Sequence, residues 1–237
     1  MLVLGIETSG LDGSVALVRD AVCLGERRLN QTGRRHAQAL VSEIGELLRI
    51  HSLKPRDIEC IAVSRGPGSF TGLRVGMVCA KTFAYATNCR FLAVDTFLAI
   101  AQNVPANVTQ LYVIEDAQRD DLFVGEYRRD DAGPWEQVSP IRIESTAMFL
   151  ANRTIANTIT GPGVTKLEAM DDSLNCLSDS VCSQPRASVI AAIANLKIDL
   201  EHDCDTAKNE TERDYWRASP FYLRLSAAEE KKVSLGR

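Results

Sequence analysis

Hydrophobic and polar positions fall into blocks that predict strands and helices in a mixed order. The first half carries short apolar or alternating stretches typical of strands at 2–8, 14–20, 23–30, 59–66 and 91–95. It also carries apolar residues at helical spacing at 34–50, 71–87 and 96–103. The resulting order, βββαβαβα, predicts a mixed sheet whose parallel strands are covered by helices.

The second half repeats this scheme with a weaker pattern. Its strand-like stretches are 111–117, 121–130, 135–143 and 157–163, and its helical ones are 145–152 and 187–198. Two blocks of β-meander plus helices predict a duplicated, two-lobed α/β fold, with an N-terminal lobe at 1–104 and a C-terminal lobe at 105–237. Within the second lobe, the polar stretch 200–217 predicts a surface loop, and 219–225 predicts a docked segment before a frayed end.

Composition narrows the classes of protein that the chain can belong to. Its 237 residues are 45% hydrophobic and 24% charged, which is ordinary for a globular protein. The net charge of −4 disfavours direct binding of nucleic acid by this chain alone, so any role with nucleic acid is expected to be indirect. No stretch approaches the roughly 18 apolar residues that span a bilayer. We therefore expect a soluble, cytoplasmic protein without a membrane role.

The stretch SRGPGSFTGLRVG (64–76) predicts a glycine loop between a strand and the N-terminus of a helix. Such a loop presents backbone N–H groups at the positive end of the helix dipole, which suits an anion. The candidate phosphate-binding residues of this loop are Gly66, Pro67, Gly68, Ser69, Phe70 and Thr71.

Two nucleotide-binding interpretations of the loop are weakened by its residues. A P-loop requires Gly-Lys-Ser/Thr, but the chain reads Thr-Gly-Leu at 71–73. A dinucleotide site stays open, because Gly66, Gly68 and Gly72 are spaced only one residue too long and Asp95 stands near the expected ribose position.

Hydrolase and metal chemistry find little support in the sequence. Ser69 has no G-x-S-x-G setting, and the candidate bases are only His36, His51 and His202. Histidine pairs with metal-ligand spacing are absent from the sequence, and the seven cysteines include no C-x-x-C pair. We therefore predict no catalytic residue and no metal site.

Small residues recur at every fourth position of the predicted helix 71–87, as Gly72, Gly76, Ala80 and Ala84. Because glycine inside a helix costs about 0.5–1 kcal/mol relative to alanine, this small-residue ridge predicts the close approach of another backbone. The remaining positions are apolar almost all round, which is typical of a helix buried on more than one side. The second side packs either on the helix 34–50 or on a partner protein, and both alternatives stay open.

The run R-G-P-G-S-F-T-G-L-R-x-G (65–76), with IETSG at 6–10 and HAQ at 36–38, resembles the TsaB (YeaZ) family of bacterial tRNA threonylcarbamoyladenosine biosynthesis. The resemblance extends through 93–102 and 116–127 and returns at 219–224. It implies a two-lobed actin-like ATPase fold with ribonuclease H-like βββαβα lobes. It also implies a non-catalytic scaffold that docks the catalytic TsaD-like subunit.

The resemblance further implies a set of partners and contacts. A TsaE-like ATPase completes the complex, tRNA is reached only through it, and the free protein is expected to form a homodimer. No cofactor is expected, apart from a candidate nucleotide at the partner interface. Docking is expected through the helices at 34–50 and 71–87, with candidate contacts His36, Leu40, Gly72, Arg74, Gly76, Ala80, Lys81 and Ala84.

Two departures from the family pattern bear on chemistry. In this superfold an acid at the end of the first strand lies near the nucleotide phosphates, and here that position is Glu7, longer than the usual Asp and followed by Thr8. The family's D-A-R reads D-A-Q at 116–118, with Arg119 next. The alternative function is an ATP-binding transferase or kinase-like enzyme of the same superfold that uses the glycine loop.

Overall fold

The computed structural model describes residues 1–29, 36–131, 133–154, 157–168, 174–203 and 215–223. The elements of the first half are β1 (Leu2–Glu7), β2 (Ser14–Arg19), β3 (Val22–Arg28), α1 (His36–Ile50), a 3-10 turn (Pro55–Asp57), β4 (Cys60–Ser64), α2 (Phe70–Thr87), β5 (Arg90–Val94) and α3 (Thr96–Ala101). The elements of the second half are β6 (Gln110–Gln118), β7 (Asp121–Arg128), β8 (Glu136–Ser145), α4 (Thr146–Asn152), β9 (Thr158–Thr160), α5 (Val164–Glu168), β10 (Cys176–Leu177), α6 (Ser180–Ser183) and α7 (Ala187–Asp203).

The strands form two five-stranded sheets, of order β3-β2-β1-β4-β5 and β10-β9-β6-β7-β8. In the first sheet, β1 pairs antiparallel with β2 and parallel with β4. Both β1 and β4 are buried along their whole length, which agrees with their unbroken apolar sequence. One face of this sheet packs under α1 and α2, and the opposite face packs under α7.

The second sheet repeats the plan of the first. Its central strand β6 pairs antiparallel with β7 and parallel with β9, as β1 does with β2 and β4. A Gly-Pro-Gly turn follows the parallel neighbour in each lobe, at 66–68 after β4 and at 161–163 after β9, and a helix then begins. The duplicated, two-lobed α/β fold is therefore confirmed. The short elements α5, β10 and α6 were not predicted, because each is too brief to show a period.

The helix α7 belongs to the second half of the sequence but packs on the first sheet. A Cβ atom at Gly5 of β1 would lie only 2.2 Å from the carbonyl oxygen of Ala187, so the helix backbone touches the strand there. At the same end, Glu26 of β3 accepts hydrogen bonds from the guanidinium of Arg186 at 2.6 Å and from the backbone N–H of Ser188 at 3.1 Å. The first sheet is thus complete with β5 at Val94 and the second begins with β6 at Gln110, whereas α7 returns to the first sheet.

Two predicted segments near the end of the chain differ in outcome. The polar stretch 200–217 was predicted as a loop, but α7 continues to Asp203, so the prediction is wrong for its first residues. Residues 204–214 lie outside the described part of the chain. Residues 215–223 pack along α2 without regular secondary structure, which agrees with the docked segment predicted at 219–225 for its residues 219–223; residues 224 and 225 lie outside the described part.

Candidate functional site

The glycine loop is held by hydrogen bonds from within the chain. The N–H of Ser69 donates to the carbonyl of Ser9 at 2.8 Å, and the N–H of Gly66 donates to the hydroxyl of Thr96 at 3.1 Å. The hydroxyl of Ser69 accepts from the N–H of Gly72 at 3.3 Å, so Ser69 caps α2. Three backbone donors that could have bound a phosphate are therefore engaged inside the protein.

The first two glycines of the loop are required by backbone conformation and close packing. Gly66 has φ +111°, and a Cβ there would lie 3.1 Å from the carbonyl oxygen of Phe221. Gly68 has φ +151°, and a Cβ there would lie 2.6 Å from the Cβ of Ser9. Pro67 is buried between them. A tight turn with close contacts accounts for all three residues without a ligand.

The remaining loop residues begin α2 at the surface. Thr71 is exposed, while Phe70 is half-buried and stacks on Tyr222, with ring centres 4.8 Å apart. The N-terminal turn of the helix therefore carries an aromatic contact from the 215–223 segment.

The acid at the end of β1 is fully enclosed. Glu7 is 1% exposed, and its Oε1 accepts hydrogen bonds from Ser9 and Gly10, while its Oε2 has no hydrogen-bond partner among the described residues. Burial raises the pKa of the Glu7 carboxyl, and these hydrogen bonds oppose the rise only in part.

A second acid from the other sheet is electrostatically coupled to Glu7. Glu115 lies in β6, and burial, together with repulsion from Glu7 and Asp116, raises its pKa to about 8. The backbone of Glu115 is also packed on the second Gly-Pro-Gly turn, where a Cβ at Gly163 would lie 3.0 Å from its Cα. Both carboxyl groups therefore ionise less readily than a glutamate in water.

The acid proposed for a dinucleotide ribose serves another purpose. Asp95 caps α3, because its Oδ1 accepts from the N–H groups of Phe97 at 2.8 Å and of Leu98 at 3.1 Å. Burial raises the pKa of this carboxyl. With the capping role filled, the dinucleotide interpretation loses the residue on which it depended.

The small-residue ridge of α2 faces the protein's own sheet. A Cβ at Gly72 would lie 1.9 Å from the carbonyl oxygen of Thr8, and a Cβ at Gly76 would lie 2.2 Å from Thr8 Oγ1. That hydroxyl also donates to the carbonyl of Gly72 at 2.8 Å. Ala80 and Ala84 are buried on the same side. The close approach predicted by the ridge is made by Thr8, directly after β1, which corrects its assignment as a partner contact.

The other predicted contacts are placed differently. Leu40 is 1% exposed and belongs to the core, so it too is corrected to a packing residue. The guanidinium of Arg74 lies 4.1 Å from the ring centre of Phe70, and its Nε donates to the hydroxyl of Tyr222 at 3.0 Å. Lys81 donates to the carbonyl of Ala218 at 2.5 Å. The side chain of His36 lies outside the described residues.

The surface left by α1, α2 and the 215–223 segment is rich in apolar side chains. Of the twelve large hydrophobic residues that are exposed in the described chain, six lie here: Val41, Ile50, Val78, Tyr85, Trp216 and Tyr222. Val78 and Tyr85 are not among the contacts predicted from the sequence. The signal was present, since at 100° per residue these two positions lie roughly opposite the small-residue ridge.

The described residues hold neither a metal-ligand cluster nor a membrane-spanning helix. Among them, no three His, Cys, Asp or Glu side chains are grouped so that they could hold a metal ion. Within the same residues, none of the helices is both long enough and apolar enough to cross a membrane.

Comparison with known proteins agrees with this architecture. The family model described as TsaD, tRNA N6-adenosine threonylcarbamoyltransferase, matches residues 24–152, just over half of the chain. The tRNA threonylcarbamoyladenosine biosynthesis protein TsaB of Bacillus subtilis is 31% identical over 140 residues, which are 59% of this chain and 60% of that protein. TsaB of Escherichia coli is 31% identical over 137 residues, 57% and 58% of the two chains. The matched region thus spans about 60% of the length of these relatives.

The solved structure of YeaZ from Pseudomonas aeruginosa covers 94% of this chain and 99% of its own, with a TM-score of 0.74 and 22% identity. This likeness shows the fold. Together with the family match, it establishes the two-lobed actin-like ATPase fold that the sequence resemblance implied.

Proposed function

The chain belongs to the TsaB/YeaZ family, and we propose that it is a non-catalytic partner subunit of the complex that installs threonylcarbamoyl on adenosine in tRNA. In this role it docks the catalytic TsaD-like subunit. A TsaE-like ATPase joins the pair, and tRNA is reached only through the complex. The observation that carries the proposal is the concentration of exposed apolar side chains on α1 and α2.

The geometry of the glycine loop favours a scaffold over the ATP-binding alternative. Three of the loop's backbone donors already bind acceptors inside the chain. The pKa of both the Glu7 and the Glu115 carboxyl is raised, mainly by burial, so neither group is readily ionised to hold the Mg²⁺ that accompanies a nucleotide.

The docking face is defined here by Val41 and Gly45 on α1 and by Val78 and Tyr85 on α2. Val41, Val78 and Tyr85 are 69%, 65% and 68% exposed, although both helices bury their inner sides in the same core. Such a group of apolar side chains on a globular surface is typical of a protein interface.

The glycine in the middle of α1 gives independent support to this face. A Cβ at Gly45 would have nothing within 4 Å, so packing within the described residues does not require glycine there. Because glycine in an exposed helix costs about 0.5–1 kcal/mol relative to alanine, close approach by another molecule is the physical reason we give for it. The same face can pair with itself, which accounts for a homodimer of the free protein.

Co-purification tests the docking face. We expect Val78→Asp to abolish co-purification with a TsaD-like subunit, because it buries an unpaired charge in the interface. The matched control is Leu196→Asp, an exposed leucine on α7, 56% exposed, which should leave binding unchanged. Binding of Val78→Asp at the wild-type level would refute the face, and failure of the wild type to bind would refute the scaffold role.

Calorimetry separates the scaffold from the enzyme. We expect no heat of binding when ATP and magnesium are titrated into the isolated protein, because the loop's donors are occupied. Saturable binding accompanied by ATP turnover would instead establish the kinase-like alternative.

A further inference from the structure

The 215–223 segment runs antiparallel to α2 along one flank of that helix. Trp216 lies beside Tyr85 near the end of α2, with ring centres 6.1 Å apart, and Tyr222 lies beside Phe70 at the start of α2. Between these contacts, Lys81 donates to the carbonyls of Ala218 at 2.5 Å and of Trp216 at 3.4 Å. All nine residues of the segment are exposed or half-buried, so it is held by surface contacts.

The same segment is anchored on the glycine loop. The N–H of Phe221 donates to the carbonyl of Arg65 at 2.7 Å, and the Arg65 guanidinium lies 5.9 Å from the centre of the Phe221 ring. The carbonyl of Phe221 occupies the space that a side chain at Gly66 would need. The loop predicted to receive a phosphate therefore receives the protein's own backbone.

The ends of the segment rest on two different apolar clusters. Tyr215 and Ala218 pack against the cluster under α1 and α2 in the first lobe. Phe221 and Leu223 pack against a cluster formed by α3, β6 and β7 together with Trp135. Nine residues thus connect the outer helix of one lobe to the core of the other.

We propose that the 215–223 segment is an interlobe clamp. Lys81 is the positioning residue that holds the segment on the first lobe. The contacts between the segment and α2 in turn fix the packing around Trp135 in the second lobe. Because the clamp is held mainly by exposed bonds, it opens at a small free-energy cost compared with the cores that it joins. Any change in the contacts between the 215–223 segment and α2 is therefore transmitted past the glycine loop to the second lobe. The clamp does not depend on the proposed function.

Two readouts on the full chain test the clamp. The sequence has two tryptophans, so in a Trp216→Phe background Trp135 is the sole tryptophan and its quenching by acrylamide reports packing of the second-lobe cluster. Cleavage by trypsin after Arg217, followed by mass spectrometry, reports release of the segment. In this background we expect Lys81→Ala to speed that cleavage about tenfold, since it removes a charged hydrogen-bond donor, and to increase the quenching of Trp135.

Conservative and matched variants make the outcome decisive. Lys81→Arg should restore both readouts, because it keeps a cationic donor at that position. Arg49→Ala, which removes an exposed cation paired with Glu46 on α1, should change neither. Faster cleavage with unchanged Trp135 quenching would overturn the clamp, because the segment would then be seated without coupling the lobes. Unchanged cleavage in Lys81→Ala would also overturn it, because Lys81 would not hold the segment.

Discussion

Replacing Glu115 by glutamine should make the protein more stable at neutral and alkaline pH. In the folded protein, burial and the neighbouring carboxylates of Glu7 and Asp116 raise the pKa of Glu115 from 4.5 to about 8. Below about pH 4.5 the group is protonated in both states and has no effect. Between these two values the unfolded chain releases its proton and the folded chain keeps it, so the free energy of unfolding falls as pH rises.

The size of this effect follows from the pKa change. At about 1.4 kcal/mol for each pKa unit, the rise corresponds to a loss of at most roughly 5 kcal/mol once pH exceeds the folded value. Relaxation of the lobes and entry of water would reduce it. Glutamine keeps the shape of the side chain and cannot ionise, so the stability gain of Glu115→Gln over wild type should grow steadily from pH 5 to pH 8.5.

Urea unfolding at pH 5, 6.5 and 8.5 measures this difference. Glu136→Gln is the control, since Glu136 is exposed and its ion pair with Arg128, at 3.4 Å, lies at the surface; its free energy of unfolding should stay within about 1 kcal/mol of wild type. Glu7→Gln should lower the pKa of Glu115, because it removes a like charge. The pH range over which Glu115 lowers the free energy of unfolding should then move to lower pH. A constant difference between Glu115→Gln and wild type across this range would refute the reasoning.

Three further predictions concern packing, capping and thiols. Gly76→Ala should destabilise the protein by about 1–3 kcal/mol in urea, since its Cβ would collide with Thr8, whereas Gly45→Ala should stabilise it by up to about 1 kcal/mol. Asp95→Ala should cost about 1–2 kcal/mol in the same assay through loss of the α3 cap; an unchanged midpoint would contradict this role. Burial raises the pKa of Cys79 to about 11; burial and Glu26 also raise the pKa of Cys23, but Cys23 is exposed, so iodoacetamide at pH 8 should alkylate Cys23 before Cys79, as peptide mapping would show.

The strands and helices of the first lobe could be predicted because each has a clear period or an unbroken apolar run. The strands β1 and β4 lack alternation, and the structure buries both of their faces. The small-residue ridge of α2 correctly indicated a close approach. Its partner could not be inferred, because Thr8 is more than sixty residues away and periodicity carries no information about which neighbour a face meets.

The candidate site was harder to predict for the same reason. The loop sequence 66–71 was compatible with a phosphate cradle, and only the structure shows that its donors reach Ser9 and Thr96. The proximity of Glu7 and Glu115 depends on how two sheets are assembled, and no local pattern encodes it. Residues of the docking face could have been found by following the side of α2 opposite the ridge.

The return of α7 to the first sheet has a consequence for synthesis on the ribosome. Strands β1, β2 and β4 emerge early, but one face of their sheet is covered by a helix that ends at Asp203. On that face, the helix is not yet present to cover Val3, Val18 and Ala62 until it has been synthesised. The N-terminal lobe therefore cannot complete its folding first, as domains made in sequence usually do. The nascent chain must therefore keep this apolar surface uncovered until α7, which ends at Asp203, has been synthesised.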